Sequence, residues 1–230
     1  MVDWNAAQAE ERRTWTDGIS TSPRFLLEAL AGAAALDEFM QSQGVRYRRS
    51  VEVGIGPLSL GWSAVFGQGA PDDLIALDPL PRIEPSTGIA EFDEFVTRLQ
   101  ERVTYVQCRA EDRVLPGGSF DLVVCSNVID HTERPERVID ECRRLIAADG
   151  IMVFGVNVFS TLGYQKWMRY WRPLHPNNSN TVLHPHSYTE TTADRLVIAN
   201  GWRIVARQAA SGVRRVMGHS YVYRLIARPA

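Results

Sequence analysis

Apolar residues along this chain fall into short dense runs, separated by stretches in which they return every three or four positions. Seven runs read as strands: Ser50 to Val53, Asp73 to Asp78, Val103 to Gln107, Phe120 to Cys125, Ile151 to Val156, Gly201 to Ala206 and Tyr221 to Ile226. Helical signals lie between them. Pro135 opens a helix whose apolar face is Val138, Ile139, Cys142, Leu145 and Ile146, and Asp149-Gly150 ends it. Ser22-Pro23 starts another, rich in Leu and Ala from Phe25 to Met40, with Gly44 as its stop. A polar helix runs from Ala6 to Trp15, and one more begins near Thr189. Strands alternating with helices predict an α/β fold, a doubly wound, seven-stranded, mostly parallel sheet. The pattern describes a single domain over residues 1–230. Residues 1–49 form an N-terminal helical cap, and residues 157–190, irregular and rich in aromatics, form a lid over the substrate.

Composition narrows the function classes. At 230 residues, 45% hydrophobic and 23% charged, the chain is an ordinary globular one. A net charge of −2 argues against a polyanionic partner, so nucleic acid is not expected. Cys108, Cys125 and Cys142 make no C-x-x-C pair, and the latter two sit in apolar patterns as small core residues. No basic-then-apolar leader and no membrane-length apolar run is present. The expected setting is cytoplasmic, without membrane contact.

Chemistry concentrates at Val51-Glu52-Val53-Gly54-Ile55-Gly56-Pro57-Leu58-Ser59-Leu60-Gly61, where a buried strand breaks into glycines. A P-loop needs a Lys-Ser or Lys-Thr that is missing here. A dinucleotide fingerprint needs a third glycine where Ser59 stands, and Glu52 would oppose a pyrophosphate. The loop resembles instead the first motif of class I S-adenosylmethionine-dependent methyltransferases, E/D-x-G-x-G. Further motifs follow in order: Ala76-Leu77-Asp78, Arg109-Ala110-Glu111-Asp112, Phe120-Asp121-Leu122 through Asp130-His131, and Leu145 to Ile151. Together, across about residues 45–160, they resemble the small-molecule branch of that family.

The resemblance implies S-adenosylmethionine as cofactor, and it implies roles by position. Glu52, Gly54 and Gly56 would hold the methionine portion and Asp78 the ribose hydroxyls. Ala110 and Glu111 would read the adenine edge, and Asn127 would face the methyl group. Relatives often carry Asp or Asn where this chain has Arg109, which bears on adenine recognition.

A sulfonium methyl needs no activation beyond alignment, which can supply roughly 7–11 kcal/mol. A hydroxyl acceptor also needs a base, worth roughly 10²–10⁴-fold. Asp130-His131 follows the fourth strand and is the catalytic candidate, with His131 as the base. Tyr164, Trp167, His184, His186 and Tyr188 are candidates for binding the acceptor, the rings suiting a sugar or aromatic face. The segments Asn127 to His131, Val156 to Ser160 and His184 to Tyr188 resemble methyltransferases of polysaccharide biosynthesis. That resemblance implies O-methylation of a carbohydrate or saccharide-precursor hydroxyl. Open alternatives are O- or N-methylation of an aromatic or polyketide small molecule, an NAD-binding oxidoreductase and a non-catalytic cofactor-binding module. A divalent metal held by Asp130 with His175, His184 and His186 is also open, because imidazole and carboxylate suit several ions. The expected partner is a small-molecule or saccharide acceptor, with a homodimer left open.

Overall fold

The computed structural model describes residues 4–209 and 220–230; the first three residues of the expected cap lie outside these. The strands are β1 (Ser50–Val53), β2 (Leu74–Asp78), β3 (Thr104–Gln107), β4 (Phe120–Ser126), β5 (Ile146–Val158), β6 (Trp202–Gln208) and β7 (Tyr221–Pro229). They form one sheet in the order β3-β2-β1-β4-β5-β7-β6. The first five run parallel, and β7 lies antiparallel between β5 and β6. The strand order reverses at β1 and β4, so helices leave the sheet on opposite faces there and a crevice opens above the strand ends.

Strand alternation feeds a core on each face. Val123 and Cys125 of β4 pack with Val138, Ile139, Cys142 and Leu145 of α5 (Pro135–Leu145). Leu122 and Val124 face the other way, onto Leu36, Phe39 and Met40 of α2 (Pro23–Ser42) and onto Trp62 of α3 (Trp62–Phe66). Leu74 and Ala76 of β2 meet Val96 and Leu99 of α4 (Ala90–Gln100). A strand buried on both faces shows no polar alternation, which is why these runs read as continuous. Cys125 and Cys142 are fully buried, as their patterns predict.

The junction of α5 and β5 departs furthest from the sequence reading of the sheet. The apolar face of α5 was expected to include Ile146, with Asp149-Gly150 as the stop. The helix ends at Leu145, and Ile146 is extended at ψ 141° and pairs with Phe120. The register then slips, so that Ile151 pairs with Leu122, and Ala147 to Gly150 bulge out between them. Ile146 stays buried, but as a strand residue, so its apolar character served either period.

The expected lid is a composite. Asn157 and Val158 complete β5. Then come α6 (Thr161–Lys166), a π-helical turn (Trp167–Trp171), α7 (Arg172–Leu174) and α8 (Ser179–Leu183). The helix expected near Thr189 is α9 (Glu190–Ala199), capped by the Thr189 hydroxyl accepting from Thr192 N. At the other end of the chain α1 (Trp4–Arg13) runs into a second π turn, Thr14–Ile19, and packs against α8. The N-terminal cap and the lid therefore meet.

One ion pair ties α5 to the loop before β4. Glu141 is 2% exposed, and both its oxygens accept from Arg144, at 2.7 and 2.5 Å. Arg144 also donates to the Leu115 carbonyl at 2.6 Å, while Arg113 stands 3.7 Å from Glu141. Removing the arginine strands a buried carboxylate. Arg144→Ala should lower unfolding free energy by about 3 kcal/mol in urea denaturation, and an unchanged midpoint would show the pair to be idle.

Candidate functional site

A cavity of about 690 Å³ opens above the carboxyl ends of β1, β2 and β4. Its lining includes Glu52, Gly54 to Gly56, Asp78, Cys108 to Glu111, Asn127, His131 and His184. Trp4, Glu11 and Trp15 come over the top from the N-terminal segment.

The glycine loop is held by the two acids expected to bind cofactor. Glu52 is buried, and its carboxylate accepts from Trp62 N at 3.1 Å and Ser63 N at 2.7 Å, and from the Ser63 hydroxyl at 2.5 Å. Those are first-turn donors of α3, which no intrahelical carbonyl can satisfy. Burial pushes the Glu52 carboxyl up, and the bonds from Ser63 and Trp62 oppose the shift. Asp78 accepts from Gly56 N at 2.8 Å and Leu80 N at 2.9 Å. Its pKa is pushed up to about 6, burial outweighing those two bonds. Gly54 N and Ile55 N donate to the Leu77 carbonyl, locking the loop onto β2.

Both glycines are left-handed, Gly54 at φ +73° and Gly56 at +81°. A Cβ on Gly54 would meet Val128 at 2.4 Å, and one on Gly56 would meet the Trp15 ring at 2.9 Å. The loop thus lets the chain's own side chains approach its backbone, beyond any need of a ligand.

Ala110 and Glu111 open a single 3-10 turn facing the cavity. Arg109, the residue at odds with the family pattern, turns toward other partners. Its guanidinium pairs with Glu133 at 3.1 Å and Glu111 at 3.7 Å and lies 5.0 Å from the Trp4 ring. Asn127 is left-handed at φ +59° and accepts from the Asn157 amide at 2.6 Å.

His131 is not the free base that its sequence position suggests. Its Nδ1 lies 3.1 Å from Glu11 Oε2, and Glu11 in turn accepts from Trp15 Nε1 at 2.9 Å. Its Nε2 is buried without a partner, 3.9 Å from Asp130 Oδ2. Burial works against the imidazolium, but the charges of Asp130 and Glu11 and the Glu11 bond prevail, and the pKa is pushed up to about 9. A ring that holds its proton at neutral pH can take one from a substrate only after giving up its own. His184, whose ring centroid is 4.4 Å from that of His131, is shifted the other way by burial and by the charge of His131.

The structure divides the expected acceptor residues. Only His184 lines the cavity. Tyr188 is 8% exposed and bridges to Val158 in the core beneath. His186 donates its backbone N–H to the Asp130 carbonyl at 3.4 Å and supports the turn. Trp167 bonds Ser187 Oγ at 3.0 Å and stacks on Phe159 and Trp171, lining an open groove elsewhere; Tyr164, on α6 beside it, is also outside the cavity. His175 packs on Trp171 and stands apart from Asp130. Helical spacing built an aromatic stack, but on a different surface from the cavity. Glu11 and Trp15 were not singled out. The available signal was a tryptophan in an otherwise polar helix, which must find a surface to cover.

Residues 68–154 match the family model described as a methyltransferase domain. A stretch of 105 residues is 29% identical to the human thiol S-methyltransferase TMT1B, covering 43% of this chain and 38% of that protein. The chain thus spans less than half of this relative. The solved N-methyltransferase NodS of Bradyrhizobium japonicum WM9, in complex with S-adenosylhomocysteine, superposes with a TM-score of 0.60 at 16% identity over 98% of each chain. Magnesium protoporphyrin IX methyltransferase of Synechocystis PCC 6803, also with S-adenosylhomocysteine bound, gives 0.60 at 17% identity over 97% of this chain and 94% of its own. At these identities the likeness is one of fold. The fold is the Rossmann-like one of these solved methyltransferases, and residues 68–154 match a methyltransferase domain.

Gly54→Ala tests the loop without any ligand. The left-handed backbone costs roughly 1–2 kcal/mol and the forced shift of Val128 about as much again, so the melting temperature should fall by several degrees. A melting curve that matches the wild type would show that the loop tolerates a side chain.

Proposed function

We propose that the cavity binds S-adenosylmethionine and delivers its methyl group to a heteroatom of a small molecule, a hydroxyl first among them, at the His131 and His184 end. The observation that carries this reading is the convergence in one cavity of Asp78, the Ala110-Glu111 turn and the glycine loop. Asp78 keeps lone pairs for ribose hydroxyls, and the turn presents backbone at adenine height. Asn127 and the histidines then stand where the sulfonium end would lie. In the transfer, an acceptor lone pair bonds to the methyl carbon as the carbon–sulfur pair returns to sulfur, giving S-adenosylhomocysteine. The acceptor's proton leaves by way of the Asp130, His131 and His184 cluster. A carbohydrate hydroxyl keeps polar neighbours in Asn157, Arg224 and His184 but loses the stacking wall of Tyr164 and Trp167. A thiol is the second acceptor to test, since the human relative is named for one.

Donor binding has a pH signature. Ribose hydroxyls donate to the ionised form of Asp78, so its protonation opposes them. Affinity for S-adenosylhomocysteine should weaken as pH falls through about 6, and Asp78→Ala should lose tenfold or more at pH 7.5 and abolish the pH dependence. Calorimetry checks both, and a flat wild-type profile would remove Asp78 from the ribose contact. In the same buffer NAD should give no thermal stabilisation; stabilisation by NAD alone would favour an oxidoreductase.

Turnover separates the enzyme from a binding module. With labelled donor and a panel of hydroxyl and thiol acceptors, His131→Ala should keep donor affinity within about threefold and lose roughly 10²–10⁴-fold in rate. Full turnover in that variant would place proton removal elsewhere.

A further inference from the structure

Beside the donor cavity, Asp130, His131 and His184 each place one ligating atom within 4.8 Å of the other two. The arrangement around them is more specific than proximity. His184 Nδ1 is 3.0 Å from the Asn180 carbonyl, an acceptor only, so Nδ1 carries the hydrogen and Nε2 the lone pair. His131 Nδ1 is held in the same sense by the Glu11 carboxylate at 3.1 Å. With both tautomers fixed from behind, the two Nε2 atoms turn toward one carboxylate. His131 Nε2 is 3.9 Å and His184 Nε2 4.0 Å from Asp130 Oδ2. These are too long for hydrogen bonds, and His131 Nε2 and Asp130 Oδ1 are buried without a well-formed hydrogen bond, the Leu183 carbonyl being the other group that faces the His131 ring. Asp130 is itself 2% exposed.

Two imidazole Nε2 atoms converging on a buried carboxylate with unused acceptor capacity form a place for a cation, which a metal takes by displacing the His131 Nε2 proton. We infer that Asp130, His131 and His184 form a binding site for a divalent transition metal of the zinc class, with Glu11 and the Asn180 carbonyl as the groups that orient its histidines. Ligand atoms at about 2.0–2.2 Å from zinc lie roughly 3.3–3.6 Å apart in tetrahedral geometry, so both histidines must move closer to Asp130 on loading, by several tenths of an ångström. Two nitrogens and one oxygen suit zinc, iron or cobalt and disfavour magnesium and calcium, which take oxygen ligands. Three protein ligands leave a fourth position open toward the cavity that both histidines line. An acceptor hydroxyl or thiol bound there ionises more readily, its proton passing to solvent, before it attacks the methyl carbon. That last role rests on the methyltransferase reading; the metal site does not.

The test uses the full chain, stripped with a chelator, dialysed and titrated with Co²⁺ and Zn²⁺ by calorimetry and visible absorption. The expected result is one ion per chain, with an intense low-symmetry Co²⁺ spectrum that Zn²⁺ abolishes and Mg²⁺ does not. His184→Gln, on the more exposed ligand, should keep the wild-type circular dichroism spectrum and weaken binding at least tenfold. Asp130→Asn should do the same or more. Glu11→Gln, which touches no metal, should cost about 10–100-fold through its histidine. S-adenosylhomocysteine affinity, measured alongside, should stay within about threefold in His184→Gln, so that failure of the metal site and failure of the donor site read out separately. A Co²⁺ spectrum identical to the aqueous ion, or binding indifferent to His184→Gln and Asp130→Asn, would overturn the site and leave a proton and the Leu183 carbonyl, which also faces His131, as the partners of that ring.

Discussion

Two buried carboxylates at the ends of adjacent parallel strands carry the architecture of this molecule. Glu52 closes β1 and Asp78 closes β2, and between them they accept backbone N–H bonds from Gly56, Trp62, Ser63 and Leu80. Each acid is costly to bury, and each is retained because the N–H groups it satisfies would otherwise be orphaned at a strand-to-helix turn. The bonds fix the glycine loop over the sheet's switch point, and the loop's position defines the cavity.

The upper side is built from distant sequence. Trp15 seats on Gly56, and Glu11 reaches His131, 120 residues away. Because α1 also packs on α8, the N-terminal segment touches both the donor loop and the turn bearing His184. Anything that enters the cavity must coexist with or displace this roof, the same segment that holds His131. The electrostatics agree. Burial pushes Glu11 up, but His131 holds it below its usual range, while His131 is raised in turn. The ring that looked like a base in isolation is the charged centre of a network.

How much of this was legible depended on the range of the interaction. The strands of the central sheet are dense apolar runs, and the loop after β1 is marked by glycines that the backbone requires in left-handed geometry. Both are local, and both could be read. Asp78 was legible because its position follows from strand order. The end of α5 was not, since Ile146 is apolar and buried whether the chain is helix or strand, and only the pairing with Phe120 decides. The aromatic richness of residues 157–190 is plain in the sequence, but nothing there says which surface Trp167 would cover or that it would stack on Phe159 and Trp171. Glu11 was invisible for the same reason: its partner is set by tertiary packing of α1, not by any neighbour in sequence.

The most direct test of the central claim is a crystal structure of the full chain grown with S-adenosylhomocysteine. The account predicts ribose hydroxyls within hydrogen-bonding distance of Asp78, the adenine edge against Ala110 and Glu111, and the thioether sulfur directed toward Asn127 and His131. A nucleoside seated in the Trp167 groove, or one in the cavity with Asp78 untouched, would contradict it.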